Sequence, residues 1–228
     1  MNSNRFAALL LALALFSQVG AQTVDPTAGP RGFIRLMNVV GVGTGKLDFL
    51  IDGTPVREQG YQLGDVTGGI PRQPATYKFT FRREGLVQGE TTFAIVKDVT
   101  VTLIPFAELV PATEDKEAYW TIRILRLKQS EDRQMTTATV VNLTRHAELK
   151  VKIQNKDESW DSVVVARLGL ARAPIHQRAG YVPMKTEWGD LTPLSVGTSG
   201  NFVAIVYEDA DGALRSQNFQ DLKYLSLE

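Results

Sequence analysis

Glu148-Leu-Lys-Val-Lys-Ile153 alternates strictly: Leu149, Val151 and Ile153 fall on one side of an extended chain, Glu148, Lys150 and Lys152 on the other. Side chains along a strand point to opposite faces in turn, so this pattern marks a β-strand with one face on a core and one in water. The same reading extends outward. Lys46-Leu-Asp-Phe-Leu-Ile51 gathers Leu47, Phe49 and Ile51, while Val99, Val101 and Leu103 alternate with Thr100, Thr102 and Ile104. Further strands are expected over Phe33 to Val39, Thr76 to Arg82, Thr92 to Val96, Ala118 to Leu127, Thr137 to Leu143, Ser162 to Leu168, Phe202 to Tyr207 and Leu222 to Leu227. Turn formers separate them at Asp52-Gly53, Arg83-Glu-Gly85 and Asp211-Gly212. No window beyond the N-terminal apolar run keeps a helical period. Many short strands with regular turns predict an all-β chain of antiparallel β-sandwich or barrel-like domains.

The pattern occurs twice. Ile34-Arg-Leu-Met-Asn38-Val39 is followed by a short loop and the alternating strand Leu47 to Ile51; Ala138-Thr-Val-Val-Asn142-Leu143 is followed by a short loop and Leu149 to Ile153. The two asparagines stand 104 residues apart, the size of one small sandwich. Each ends a strand, where an amide side chain bonds nearby backbone and closes a turn, so a structural role is expected for both. The polar run Lys128-Gln-Ser-Glu-Asp-Arg-Gln134 puts the junction near Gln129 to Met135, with Thr113 to Glu117 as the competing boundary. The expected division is a signal peptide over residues 1–21, one domain over 22–130 and a second over 131–228.

The N-terminus reads as an address. Arg5 precedes the apolar run Phe6 to Phe16, and Ser17-Gln-Val-Gly-Ala21 offers small residues for a signal peptidase. The run is short for a bilayer span, so cleavage after Ala21 and a periplasmic or secreted mature chain are expected. The rest of the composition is mostly exclusion. The 228 residues hold 25 Lys and Arg against 25 Asp and Glu, which removes the electrostatic case for nucleic acid or an anionic membrane as partner. With no cysteine and two histidines, disulfides, thiolate chemistry and histidine-rich metal sites have almost no raw material.

Motifs that resemble catalytic or ligand loops fail in detail. Gly41-Val-Gly-Thr-Gly45-Lys46 has Val40 where a phosphate loop needs its first glycine and Leu47 where it needs Ser or Thr; a flexible hairpin loop accounts for the glycines. Glu208-Asp-Ala-Asp211-Gly212 lacks the third acidic position and the distal Glu of a calcium loop, and reads as a turn between strands. No Gly-x-Ser-x-Gly elbow occurs, and only His146 and His176 could act as imidazole bases. No catalytic residue, cofactor or metal ligand is expected.

One segment stands apart. Arg172-Ala-Pro-Ile-His176-Gln-Arg178-Ala-Gly-Tyr181-Val-Pro183-Met-Lys-Thr-Glu-Trp188 is the longest stretch without strand alternation, and it concentrates cationic and aromatic side chains. Read as a loop on a rigid scaffold, it offers Arg172, His176, Arg178, Tyr181 and Trp188 to an acidic polysaccharide or a protein partner. The alternative is that Ile175, Tyr181, Met184 and Trp188 pack under the second sheet. A second candidate runs from Arg57-Glu-Gln-Gly-Tyr61 through Arg72-Gln73 and reads mainly as a long loop.

The export signal, the opening Gly29-Pro-Arg-Gly-Phe-Ile-Arg-Leu-Met-Asn38 and the second opening Val140-Val-Asn-Leu143 together resemble AlgF-like periplasmic proteins of alginate O-acetylation. Arg35 to Asn38 with Leu47 to Gly53 is also similar to a β-sandwich repeat of unknown function in bacterial surface proteins. The chain departs from both in its Gly-rich first loop and in lacking an Arg before the second Val-Val-Asn. The resemblance implies a non-catalytic periplasmic adaptor or accessory protein in exopolysaccharide O-acetylation, with envelope proteins of that machinery as partners. The alternative is a secreted carbohydrate-binding or cell-surface module; a hydrolase or acetyltransferase using His176 is the third reading.

Overall fold

The computed structural model describes residues 29–132, 136–176 and 179–228. The expected signal peptide, its cleavage site after Ala21 and Arg178 lie outside these residues. The described chain is all strand and turn. The first half contains β1 (Gly32–Leu36), β2 (Thr44–Ile51), β3 (Thr54–Pro55), β4 (Ile70–Arg72), β5 (Thr76–Glu84), β6 (Gly89–Ala94), β7 (Thr100–Val110) and β8 (Tyr119–Asp132). The second contains β9 (Thr137–Asn142), β10 (Glu148–Gln154), β11 (Trp160–Ala166), β12 (Leu170–Pro174), β13 (Gly180–Thr186), β14 (Gly189–Val196), β15 (Asn201–Glu208) and β16 (Leu214–Asp221), and β17 (Lys223–Leu227) follows. No helix among the described residues is long and apolar enough to cross a membrane.

The repeat seen in the sequence is a repeat of topology. In the first half one sheet runs β8-β7-β1-β4 and the other β3-β2-β5-β6; in the second they run β16-β15-β9-β12 and β11-β10-β13-β14. Strand for strand, the orders are the same. Each half is a sandwich, and each contains one parallel pair within the antiparallel pattern: β1 beside β7, and β9 beside β15.

The two sandwiches stack into four layers with three cores. Ile34, Leu36, Val101 and Leu103 of one inner sheet meet Leu47, Phe49, Phe79 and Phe81 of its outer sheet. In the second half, Val140, Ala204 and Val206 meet Leu149, Val151 and Val182. The third core lies between the halves: Met37, Val39, Ile104 and Phe106 pack against Val141, Val203, Ile205 and Tyr207. Both inner sheets are therefore covered on both faces. This corrects the expectation for the strand around Val101, whose other face, carrying Thr102 and Ile104, is buried rather than wet.

Local chemistry explains the connections. Asp52 and Gly53, with φ of 48° and 81°, form the two-residue turn that pairs Ile51 with Thr54. The Gly-rich segment before β2 is a crossover and not a hairpin, because β1 and β2 belong to different sheets. There Gly43 has φ of 87°, and a Cβ on it would strike Leu86 and the Glu84 carbonyl. Asn38 donates from Nδ2 to the carbonyls of Tyr61 and Gln62 and accepts the Val40 N–H; Asn142 donates to the carbonyls of His146 and Val165 and accepts from Thr144 N–H and hydroxyl. Both asparagines are fully buried, and both fasten a strand end to a loop. In the first half that loop is the segment after Arg57, whose Tyr61 ring is buried in the first core.

The segment Arg172 to Trp188, read as a loop from its sequence, is mostly strand in its described residues, as β12 and β13. Its alternation is hidden by Pro174, at the end of an edge strand, and by Pro183, where the pairing of β13 with β14 shifts between Val182 and Met184.

The last strand leaves the second sandwich. β17 pairs with β8 and extends the first half's inner sheet to β17-β8-β7-β1-β4. Asp221, buried just before it, accepts from Arg35 at 2.5 Å, from Gln129 at 2.8 Å and from the Lys223 N–H at 2.9 Å. Leu225 enters the third core, and Arg172 donates to its carbonyl at 2.7 Å.

Candidate functional site

The described side chains among those singled out over Arg172 to Trp188 do not converge. Arg172 is engaged within the molecule: besides its bond to Leu225 it lies over the Tyr224 ring at 4.5 Å, so it fastens β17. His176 holds Nε2 3.7 Å from Asp161 Oδ2 at the surface. Tyr181, 77% exposed, lies near the start of β13, whereas Trp188 lies in the turn that ends it. Strand rise puts the two about 20 Å apart. Ile175 and Met184 are buried, so the segment divides between packing and surface. Trp188, 49% exposed, stacks on His146 with ring centroids 4.0 Å apart and planes at 21°.

His146 leads, through Glu208, to a concavity that sits where the two sandwiches meet at one end. A cleft of about 460 Å³ is bounded by the β7–β8 hairpin of the first half and by three connections of the second: the segment after β9, the β11–β12 turn and the β15–β16 turn. Such a volume is in the range of small-ligand and side-chain sites. Phe106 and Leu143, both from the third core, form part of its lining with Leu109, Pro111 and Trp120. Glu108, Arg145, Arg167, Glu208 and Asp211 supply the polar part.

Ion pairs fix these walls. Glu108 of the first half accepts from Arg167 of the second and lies 3.2 Å from Arg123 Nη1. Arg167 also donates from Nε to the Thr144 carbonyl at 3.2 Å, which ties the segment after β9 to the β11–β12 turn. Glu208 is placed differently. Its Oε1 is 3.3 Å from Arg145 Nε and 3.7 Å from His146 Nε2, but it is buried without a hydrogen-bond donor in line. An aligned donor entering the cleft would make the hydrogen bond that these two contacts leave unmade.

The neighbouring turn is self-contained. Asp209 accepts the N–H groups of Asp211 and Ala213 and the Arg215 Nε, which closes the turn that resembled a calcium loop. Partial desolvation pushes the Asp209 carboxyl up, but the bonds from Arg215, Ala213 and Asp211 outweigh it and hold the group below the usual carboxylate range. Burial pushes the adjacent Tyr207 hydroxyl up. Among the described residues no three His, Asp or Glu side chains converge as they would around a metal.

Sequence reasoning missed the cleft because its parts come from residues about 100 positions apart in two halves. The signals present were Glu108, a lone acid in the apolar run Ile104-Pro-Phe-Ala-Glu-Leu109, and Glu208, which had been absorbed into the turn motif. No family model and no curated protein matches the chain, so the fold and the cleft stand on these residues alone.

Proposed function

We propose that the protein is a non-catalytic adaptor of the cell envelope, exported by its N-terminal signal, that receives a protein partner in the cleft between its two sandwiches. One observation carries this reading: the cleft is lined from both halves, and the Glu108–Arg167 pair together with the third core holds those halves as one surface. Proteins present recognition elements on loops held by a rigid scaffold, and here the loops at one end of both sandwiches meet. The resemblance of the two opening strands to AlgF-like proteins names the setting to test first, the O-acetylation of an exopolysaccharide.

The experiment is recovery of the tagged mature protein from envelope extracts of its own organism, alongside an Arg167→Glu variant. An O-acyltransferase or its periplasmic partner, recovered with the parent chain and lost with the variant, is the expected result. Retained glycan with no protein would replace the adaptor by a carbohydrate-binding module. Acetyl-ester turnover by the pure protein that disappears in His176→Ala would make it an enzyme.

A further inference from the structure

We infer that the cleft is built for an arginine side chain of the partner, with its aliphatic stem along Phe106 and Leu143 and its guanidinium against Glu208; this deepens the adaptor reading and rests on it. Three observations converge. The lining joins buried apolar side chains to a carboxylate, the pairing that a long cationic side chain needs for stem and head. Glu208 Oε1 is buried, faces no aligned donor, and can accept one from a planar fork of N–H groups. The charge balance favours a cation. Glu108, Glu208 and Asp211 line the cleft against Arg145 and Arg167, with Arg123 also beside Glu108, so the acidic excess comes from just beyond the lining. The tip of the β7–β8 hairpin adds exposed Glu114, Asp115 and Glu117 against Lys116.

Arg145 occupies part of this place in the free protein. Its Nε lies 3.3 Å from Glu208, but its side chain is 72% exposed, so it moves aside at little cost. It acts as a resident competitor that an incoming guanidinium displaces. An anionic ligand would meet the acids of the hairpin tip and the Glu208 carboxylate, and a neutral sugar would satisfy Glu208 without using that negative charge.

The test uses the full mature chain and small probes: N-acetyl-arginine methylamide, its isosteric neutral counterpart N-acetyl-citrulline methylamide, and a methyl glucoside. Binding is followed by amide and indole NMR shifts. The arginine probe is expected to shift Gly212 and the Trp120 indole in a saturable way, and to bind about tenfold more tightly than the citrulline probe. Glu208→Gln is expected to remove that preference. Arg145→Ala is expected to strengthen arginine binding, an effect opposite in sign to any loss of folding. Equal binding of the arginine and citrulline probes, a preference for the glucoside, or no saturable shift with any probe would overturn the inference. Partner recovery that persists alongside such a result would leave the adaptor reading standing while removing this one; loss of both would remove the two together.

Discussion

Asn38 and Asn142 occupy equivalent places in the two repeats and use the same donors and acceptor, each amide giving two bonds to carbonyls across a loop and taking one from an N–H two residues on. Removal leaves those buried backbone groups without partners, so Asn142→Ala is expected to cost about 3 kcal/mol in urea unfolding. Asn142→Asp, nearly the same shape, should be at least as harmful at neutral pH because it turns a carboxylate toward the carbonyls of His146 and Val165. An Asp variant as stable as the parent would show that the donor pattern is dispensable. Asp209 supplies the pH-dependent case. Its folded pKa is depressed, so its contribution is complete above the unfolded carboxylate pKa and is lost as pH falls through the lower folded value. Thermal midpoints of Asp209→Asn should therefore fall less steeply than the parent's on acidification below about pH 4; parallel curves would place the acid sensitivity elsewhere.

Among the elements, β17 binds the two halves most directly. It follows the second sandwich in sequence, pairs with the first, and inserts Leu225 into the core between them. Leu225→Ala is expected to destabilise by about 2–5 kcal/mol, the range for emptying a packed apolar site, read as a lower urea midpoint. A change within a few tenths would mean that β17 is held by its backbone pairing, Arg172 and Asp221 rather than by Leu225. The strands also show what a sequence reveals. β10 was legible because only one of its faces is buried, so Leu149, Val151 and Ile153 stand out against charges. β7 gave a misleading wet face because Thr102 and Ile104 are both buried, Ile104 in the core between the halves, a fact absent from the strand itself. β13 was hidden by Pro183 at a register shift, and the cleft was hidden because Glu108, Arg167 and Glu208 are joined by packing rather than spacing.

At the scale of the molecule, the third core makes the two sandwiches one cooperative body. Its buried aliphatic, Met and Phe side chains among the described residues each contribute about 1.5–3 kcal/mol on burial, more than enough to couple two domains of this size. Calorimetry should show a single transition. Ile205→Lys should split it in two, because Ile205 faces the other half and not its own sandwich core, so each sandwich could survive the separation that a buried charge forces. One transition, merely lowered, would mean that neither half folds alone. The route of the chain has a mechanical consequence. β1 and β17 belong to one sheet, and the pairings β1–β7 parallel, β7–β8 and β8–β17 antiparallel make them run in the same direction. A tension applied ahead of Gly32 and behind Leu227 therefore enters and leaves through opposite ends of that sheet, loading its hydrogen bonds in shear. The whole second sandwich hangs outside the line of force, slack until the sheet gives way.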